Sequence, residues 1–128
     1  MLKSKLNLGE NMKQITMQEA LDAVSARYCK GHRYENVALS DEMVRRICEV
    51  KGLVNMSFAA TAITDASLEY LARLPKLSYL SLENSEKISG EGFRYFAAHA
   101  KLEHISIESV SITDKGLKAI ALFRKGRR

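Results

Sequence analysis

The sequence contains no tryptophan, a single proline and two cysteines, and none of its apolar runs is long. Because a membrane-spanning helix needs about 20 consecutive apolar residues, we expect no membrane association. Cys29 and Cys48 do not form the dense disulfide framework of a small secreted domain, and the N-terminal residues show no apolar signal-peptide segment. These absences predict a reduced, cytoplasmic protein.

Recognisable catalytic motifs are also missing from the sequence. It contains no GxSxG nucleophile elbow, no HExxH or CxxC metal or redox motif, and no glycine-rich phosphate loop followed by Lys-Ser or Lys-Thr. Cys29 and His32 lie close together, but two ligands do not make a zinc site. We therefore expect no enzymatic activity, no catalytic residues, no bound metal and no cofactor.

The positive charge of the chain is concentrated at one end. The formal net charge is +5, from 20 basic and 15 acidic residues. Six of the 20 bases follow Asp114, the last acidic residue, which leaves 14 bases against 15 acids in the rest of the chain. A nucleic-acid-binding domain usually spreads its basic residues over one face. Residues 124–128 are therefore interpreted as a basic tail, and a nucleic acid or a ribosome is disfavoured as a partner but stays an open alternative.

What the sequence does contain is a repeat with a period of about 24 residues, a length that indicates a solenoid or another repeat architecture. Met56, Leu80 and Ile105 form one apolar column at this spacing. A second apolar column with the same period consists of Ile63, Ile88 and Ile112. Such a period is typical of repeat proteins, in which each unit covers the apolar edge of its neighbour.

Each unit combines two local patterns. Leu80 and Leu82 alternate, as expected for a short strand with one buried face. A residue of N-cap type (Thr64, Ser89 or Thr113) then precedes apolar residues at helical spacing. The unit is therefore predicted to be strand, loop and helix, and residues 32–123 are predicted to hold about four such units.

The LxxLxL strands, followed by ITD and by helix starts of the GL type, resemble leucine-rich repeats of the ribonuclease-inhibitor-like or cysteine-containing kinds. The resemblance covers about residues 34–123. It implies an α/β right-handed solenoid with short parallel strands on a concave face and helices outside, acting in protein recognition. The position that usually holds Asn or Cys at the strand end holds Ala60, Asn84 and Ser109 here, so only Asn84 fits the family pattern.

The first repeat is interpreted as degenerate. In the stretch YENVALSDEMVRRICEVKGL, Val37 and Leu39 are aligned with Met56 and Phe58, which leaves about five loop residues missing before the helix. Terminal repeats are expected to be atypical because one of their sides faces water.

An N-terminal capping helix is predicted over residues 16–31. Thr16 and Glu19 have the spacing of a capping box, and Gly31 is expected to end the helix. Residues 1–15 are predicted to be disordered or extended, and Met12 is an alternative to Met1 as the translation start.

The residues between the buried strand positions are predicted to share one exposed face, in columns one repeat apart. Asn36 and Ala38 are expected to extend the first two columns into the first repeat. The predicted partner-binding residues, in three columns, are Asn55, Tyr79 and His104; Ser57, Ser81 and Ser106; and Glu83 and Glu108, after Ala59.

These columns suggest a protein–protein interaction module in which Tyr79 anchors a partner protein. It could be a small inhibitor or an immunity-type protein; the alternatives are an adaptor subunit of a larger complex, a nucleic-acid- or ribosome-associated protein using the basic tail, or a face that is merely solvated. The last helix is followed by no further strand, so the C-terminal end of the repeats offers a surface for a homodimer.

Overall fold

Within the part of the chain that the structure describes, four strands alternate with helical segments. The computed structural model describes residues 12–99 and 101–125. In chain order the elements are α1 (Met17–Asp22), β1 (Gly31–Glu35), α2 (Asp41–Ile47), β2 (Asn55–Ala59), α3 (Asp65–Leu71), β3 (Tyr79–Ser85), a 3-10 helix (Glu91–Phe96), β4 (His104–Val110) and α4 (Asp114–Lys125). None of the helices in these two ranges has the length and apolar character that a membrane span requires.

The strands form one parallel sheet in the order β1-β2-β3-β4. Met56 pairs with Leu80 and Leu80 with Ile105, so the apolar column predicted from the repeat lies on adjacent rungs. Consecutive helical segments also pack on one another, from α1 through α2, α3 and the 3-10 helix to α4. The chain is therefore an α/β protein with helices alternating with a four-stranded parallel sheet, which is compatible with a solenoid-like arrangement.

The core lies between one face of the sheet and the helical segments. Leu80 and Leu82, which alternate along β3, are both fully buried. Leu68 and Phe93 from the helical layer belong to the same apolar cluster. The two local periods read from the sequence thus supply the two halves of one continuous core.

The same unusual backbone conformation recurs at the end of each strand, directly after β1 and β2 and one residue before the last in β3 and β4. Asn36, Ala60, Asn84 and Ser109 have φ angles of 60°, 55°, 50° and 55°. The left-handed region suits Asn, whereas alanine and serine adopt it less readily, at a cost of about 1 kcal/mol each. Because these four residues follow one another at the period of the repeat, the strand-end turn recurs even where the Asn or Cys expected from the resemblance is missing.

Aspartates at the helix starts connect successive repeats. The Asp41 carboxylate accepts hydrogen bonds from the Thr64 amide (2.8 Å) and the Thr64 hydroxyl (2.6 Å). One repeat later, Asp65 accepts from the Ser89 amide (2.7 Å), the Ser89 hydroxyl (3.1 Å) and the Gly92 amide (2.7 Å). Each aspartate therefore accepts hydrogen bonds from backbone amides at the start of the next helical segment. Its negative charge also interacts favourably with the dipole of its own helix.

The predicted alignment of the first repeat was wrong. His32, rather than Val37, pairs with Met56, and Tyr34 pairs with Phe58, so β1 begins earlier than expected and no loop residues are missing. Leu39 is fully buried, but it precedes Ile63 by one full repeat and so belongs to the loop column. The error arose because Tyr34 is the only buried residue of β1, which left the strand without an apolar alternation to recognise.

The N-terminal helix begins as predicted but is much shorter. The capping box is present, with the Glu19 amide donating to the Thr16 hydroxyl (3.0 Å) and the Thr16 amide donating to the Glu19 carboxylate (2.9 Å). The helix ends at Asp22 rather than near residue 31, and Gly31 is the first residue of β1. Glycine is needed there because a Cβ at Gly31 would lie 1.7 Å from the carbonyl oxygen of Asn55.

The chain before α1 contacts the first repeat. Lys13 forms a parallel bridge with Val37 just beyond β1. The remainder of the segment predicted to be disordered or extended, residues 1–11, lies outside the described residues, as do residues 126–128 of the basic tail.

Candidate functional site

The sheet face opposite the core carries three columns of side chains. The strand register aligns Asn55 with Tyr79 and His104, Ser57 with Ser81 and Ser106, and Ala59 with Glu83 and Glu108. All eight residues predicted from the sequence therefore lie in the expected columns. We refer to these residues, together with those that β1 contributes, as the exposed sheet face.

The first repeat extends these columns with residues that the sequence reading missed. Gly31 pairs with Asn55, Arg33 with Ser57 and Glu35 with Ala59. Asn36 and Ala38 were expected to extend the first two columns. Both residues come after the end of β1, so they belong to neither column. The signal that identifies Arg33 is its position one full repeat before Ser57, and it was overlooked because the first repeat had been aligned too late in the chain.

Arg33 connects three strands across this face. Its Nη1 donates to the Ser57 hydroxyl (2.8 Å) and to Glu83 Oε2 (3.0 Å), and its Nη2 donates to Glu83 Oε1 (3.0 Å). Its Nε donates to Glu35 on the same strand (3.2 Å). A planar guanidinium matches a carboxylate in this two-pronged geometry, so the contact orients both side chains.

Electrostatics keeps this cluster ionised at neutral pH. The hydrogen bonds from Arg33 hold the pKa of Glu83 below its ordinary value. The bonds to Glu83 and then Glu35 raise the pKa of Arg33. Since both side chains remain partly open to water, the energetic value of the pair is small, and its main effect is to fix geometry.

The serine column is less accessible than its sequence suggests. Ser57 is half-buried under Arg33, and Ser106 is exposed, but Ser81 is only 2% exposed. The Ser81 hydroxyl donates to Glu83 within its own strand (3.4 Å). Ser81 therefore supports the neighbouring carboxylate and offers a partner little surface.

Tyr79 is the largest of the predicted residues, and it projects beside this cluster. It is 37% exposed and stands between Asn55 and His104 in the first column. A tyrosine in such a place offers a partner both an apolar ring and a hydroxyl. The first column thus combines an aromatic group with hydrogen-bonding neighbours.

The C-terminal edge of the face is acidic. Glu108 is exposed on β4, and it forms no ion pair or side-chain hydrogen bond with the residues that the structure describes. Glu83, in contrast, is neutralised by Arg33. With Glu35 the face carries three carboxylates against one guanidinium, so it favours basic groups.

The other two histidines, His32 and His99, lie away from the exposed sheet face. His32 contacts the Tyr34 ring edge-on at 4.6 Å, and its partial burial lowers its pKa. The His99 ring accepts hydrogen bonds at Nδ1 from the amides of Lys101 (3.2 Å) and Leu102 (3.0 Å). Across residues 12–99 and 101–125, no three His, Cys, Asp or Glu side chains lie close enough to hold a metal.

Searches against protein-family models and against curated proteins find no match to this chain. The function of the exposed sheet face therefore has to be inferred from its geometry and chemistry.

Proposed function

We propose that the chain is a right-handed leucine-rich-repeat solenoid that binds a partner protein through the exposed sheet face, without catalysing a reaction. The recurring strand-end turn, the parallel register and the aspartate contacts between repeats support the repeat assignment. Parallel strands joined through a helix are almost always connected with a right-handed crossover, which favours that hand.

The observation that carries the binding proposal is the Arg33 bridge beside an exposed Tyr79. The bridge holds the side chains of β1, β2 and β3 in one arrangement before any partner arrives. Side chains that are already ordered lose little entropy on binding, so more of the contact energy contributes to affinity. Tyrosine is also among the residues that most often dominate interface energetics.

The chemistry of the face indicates what kind of segment would bind. Three carboxylates and one guanidinium give the face an acidic balance. We therefore expect a protein segment with more basic than acidic side chains and an apolar group that packs on Tyr79. A small inhibitor or immunity-type protein would use such contacts to block a target, whereas an adaptor would use them to hold one inside a larger complex.

A comparison of two tyrosines tests this proposal. Tyr95 lies on the 3-10 helix and is 41% exposed, close to the 37% of Tyr79. After the binding protein has been isolated with the wild-type chain, calorimetry should show that Tyr79→Ala weakens binding by about 2 kcal/mol, the size of an interface hot spot. The matched variant Tyr95→Ala should bind as tightly as wild type. Equal affinities for all three chains would place the binding site elsewhere.

The basic tail provides a second discriminating measurement. Deletion of residues 124–128 should leave binding unchanged if the exposed sheet face is the site. Loss of binding on deletion, together with a steep fall of affinity with salt, would instead indicate a phosphate-containing partner held by the tail.

A further inference from the structure

The first and last repeats differ in how well their apolar side chains are covered. In the helix column, Leu68 and Phe93 are fully buried, whereas Leu117, one repeat later, is 57% exposed. In the strand column, Leu80 is fully buried but Ile105 is only partly covered. Leu117 and Ile105 therefore lack the cover that the equivalent residues of the preceding repeats receive, among the residues that the structure describes.

The N-terminal end, in contrast, is closed by its own chain. Ala20 and Val24 are fully buried against the first repeat, and the Tyr34 hydroxyl donates to the Ala20 carbonyl (2.6 Å). The capping box between Thr16 and Glu19 satisfies the donors that begin α1. A second copy could not simply continue the array head to tail, because α1 occupies the position of the preceding repeat.

The free edge of β4 presents a defined set of backbone groups. The His104 amide donates to the Ser78 carbonyl (3.1 Å), so the backbone groups of His104 point toward β3. Because alternate residues of a strand direct their backbone groups to the same side, those of Ser106 also point toward β3. The backbone amides and carbonyls of Ile105 and Ile107 consequently point outward, away from the sheet.

We propose that β4 pairs antiparallel with β4 of a second copy of this chain, with the two Ser106 residues opposite each other on the two-fold axis. In this register Ile105 of each copy lies opposite Ile107 of the other. These two residues carry the outward backbone groups, so each pair exchanges two hydrogen bonds. The result is a continuous sheet of eight strands with the core sides of both copies on the same face.

In this register the paired side chains of β4 in the two copies have complementary character. His104 of each copy lies opposite Glu108 of the other on the exposed sheet face. The partly covered Ile105 and Ile107 meet on the core side. A slip of two residues would place His104 opposite Val110 and lose both contacts between His104 and Glu108, which is why the register centred on Ser106 is favoured.

This complementarity indicates a second copy as the occupant. A strand that matches its own reverse forms an isologous contact, which closes after two subunits and leaves no free β4 edge. Pairing also covers an otherwise exposed edge strand, which proteins generally protect. The dimer uses His104 and Glu108 of the exposed sheet face, but it is measured on the isolated chain without a partner, so either proposal can fail alone.

Cross-linking tests the position of the two-fold axis. In this register Ser106 forms a non-hydrogen-bonded antiparallel pair, with Cα atoms about 4.5 Å apart, which lies within the range that a disulfide spans. Under mild oxidation, Ser106→Cys should give a covalent dimer on a non-reducing gel. Ser57→Cys, in the same column but on the interior strand β2, should remain mostly uncross-linked.

Charge reversal tests the register by an independent measurement. In sedimentation equilibrium, wild type should associate into a species of two 14.4 kDa chains. Glu108→Lys should raise the dimer Kd by about tenfold, because both symmetry-related pairs lose their complementarity at once. The double variant His104→Glu/Glu108→Lys should restore the affinity, since it again places an acidic side chain opposite a basic one without changing the pairing.

Three outcomes would overturn the proposal. The first is a monomer at every concentration measured, and the second is equal cross-linking of Ser106→Cys and Ser57→Cys. The third is a failure of the double variant to recover the dimer lost in Glu108→Lys. Circular dichroism of every variant confirms that the compared chains are folded.

Discussion

Arg33 and Glu83 join the first and third strands by two parallel hydrogen bonds, each 3.0 Å long, between residues 50 positions apart in the sequence. The contact passes over β2, where Arg33 also donates to Ser57. It therefore connects three repeats on the surface that we propose for binding. Neighbouring backbone strands would be paired without it, but their side chains would not be held in one arrangement.

This relationship predicts a change in the titration of Glu83. Arg33→Gln removes the charged donor that lowers the pKa of Glu83, so the pKa should move up toward the ordinary value for glutamate. NMR detection of the side-chain carboxyl carbon as a function of pH measures this directly. Arg46→Gln, which removes the partner of Glu49 on another surface, should leave the Glu83 titration unchanged.

The same pair has a defined effect on stability as a function of pH. A carboxylate whose pKa is lowered by folding contributes stability that is fully present above its unfolded pKa and is lost as the pH falls through its folded pKa. The stability difference between wild type and Arg33→Gln should therefore shrink on acidification below the ordinary glutamate pKa. A difference that grew in acid would contradict the assigned contact.

Gly31 should be intolerant of any side chain. A Cβ there would lie 1.7 Å from the Asn55 carbonyl oxygen, so Gly31→Ala must push β1 away from β2. We expect a loss of about 1–3 kcal/mol in the free energy of unfolding, as for other forced overpacking. Gly52→Ala is the control, because a Cβ at Gly52 would meet nothing within 4 Å. Urea titrations with equal losses for both variants would contradict the close approach.

Most of the repeat architecture could be predicted from the sequence because a single period recurs through several apolar columns. The register of Met56, Leu80 and Ile105 followed from that period and is confirmed. The first repeat could not be placed, because Tyr34 is the single buried residue of β1, and the exposed Arg33 and Glu35 on either side of it are charged. Apolar periodicity identifies a strand only where alternate residues are apolar, as they are in β4 with Ile105 and Ile107 and are not in β1.

The candidate site was predictable only as columns of residues. Spacing placed Tyr79 beside Asn55 and His104, which depends on strand register alone. The contact of Arg33 with Glu83 depends on two long side chains meeting across an intervening strand, which no local pattern encodes. The burial of Ser81 also followed from its neighbours and could not be read from its own sequence position.

The two cysteines should react with thiol reagents at very different rates. Cys48 is 4% exposed, and burial raises its pKa to about 12, so almost no thiolate is present at pH 8. Cys29 is only partly buried. In a colorimetric thiol assay of the native chain, one thiol should react promptly, and the second should react only after denaturant is added.

A variant assigns the fast and slow phases of the thiol reaction to the two cysteines. Cys29→Ser should remove the fast phase and leave the slow one. If the fast phase persists in that variant, Cys48 must be accessible through local opening of α2, at whose C-terminal end it lies.

The aspartates at the helix starts predict a difference between equivalent positions. Asp65→Ala removes the acceptor of two backbone amides, on Ser89 and Gly92, and should lower the free energy of unfolding by about 1–3 kcal/mol. Asp114 occupies the same place in the last repeat but is exposed, with no following repeat to supply donors within the described residues. Asp114→Ala should therefore cost only the favourable interaction with its own helix dipole, about 0.3–1 kcal/mol. Urea unfolding followed by circular dichroism compares the two variants, and an equal loss would mean that the carboxylate stabilises its own helix rather than the contact between repeats.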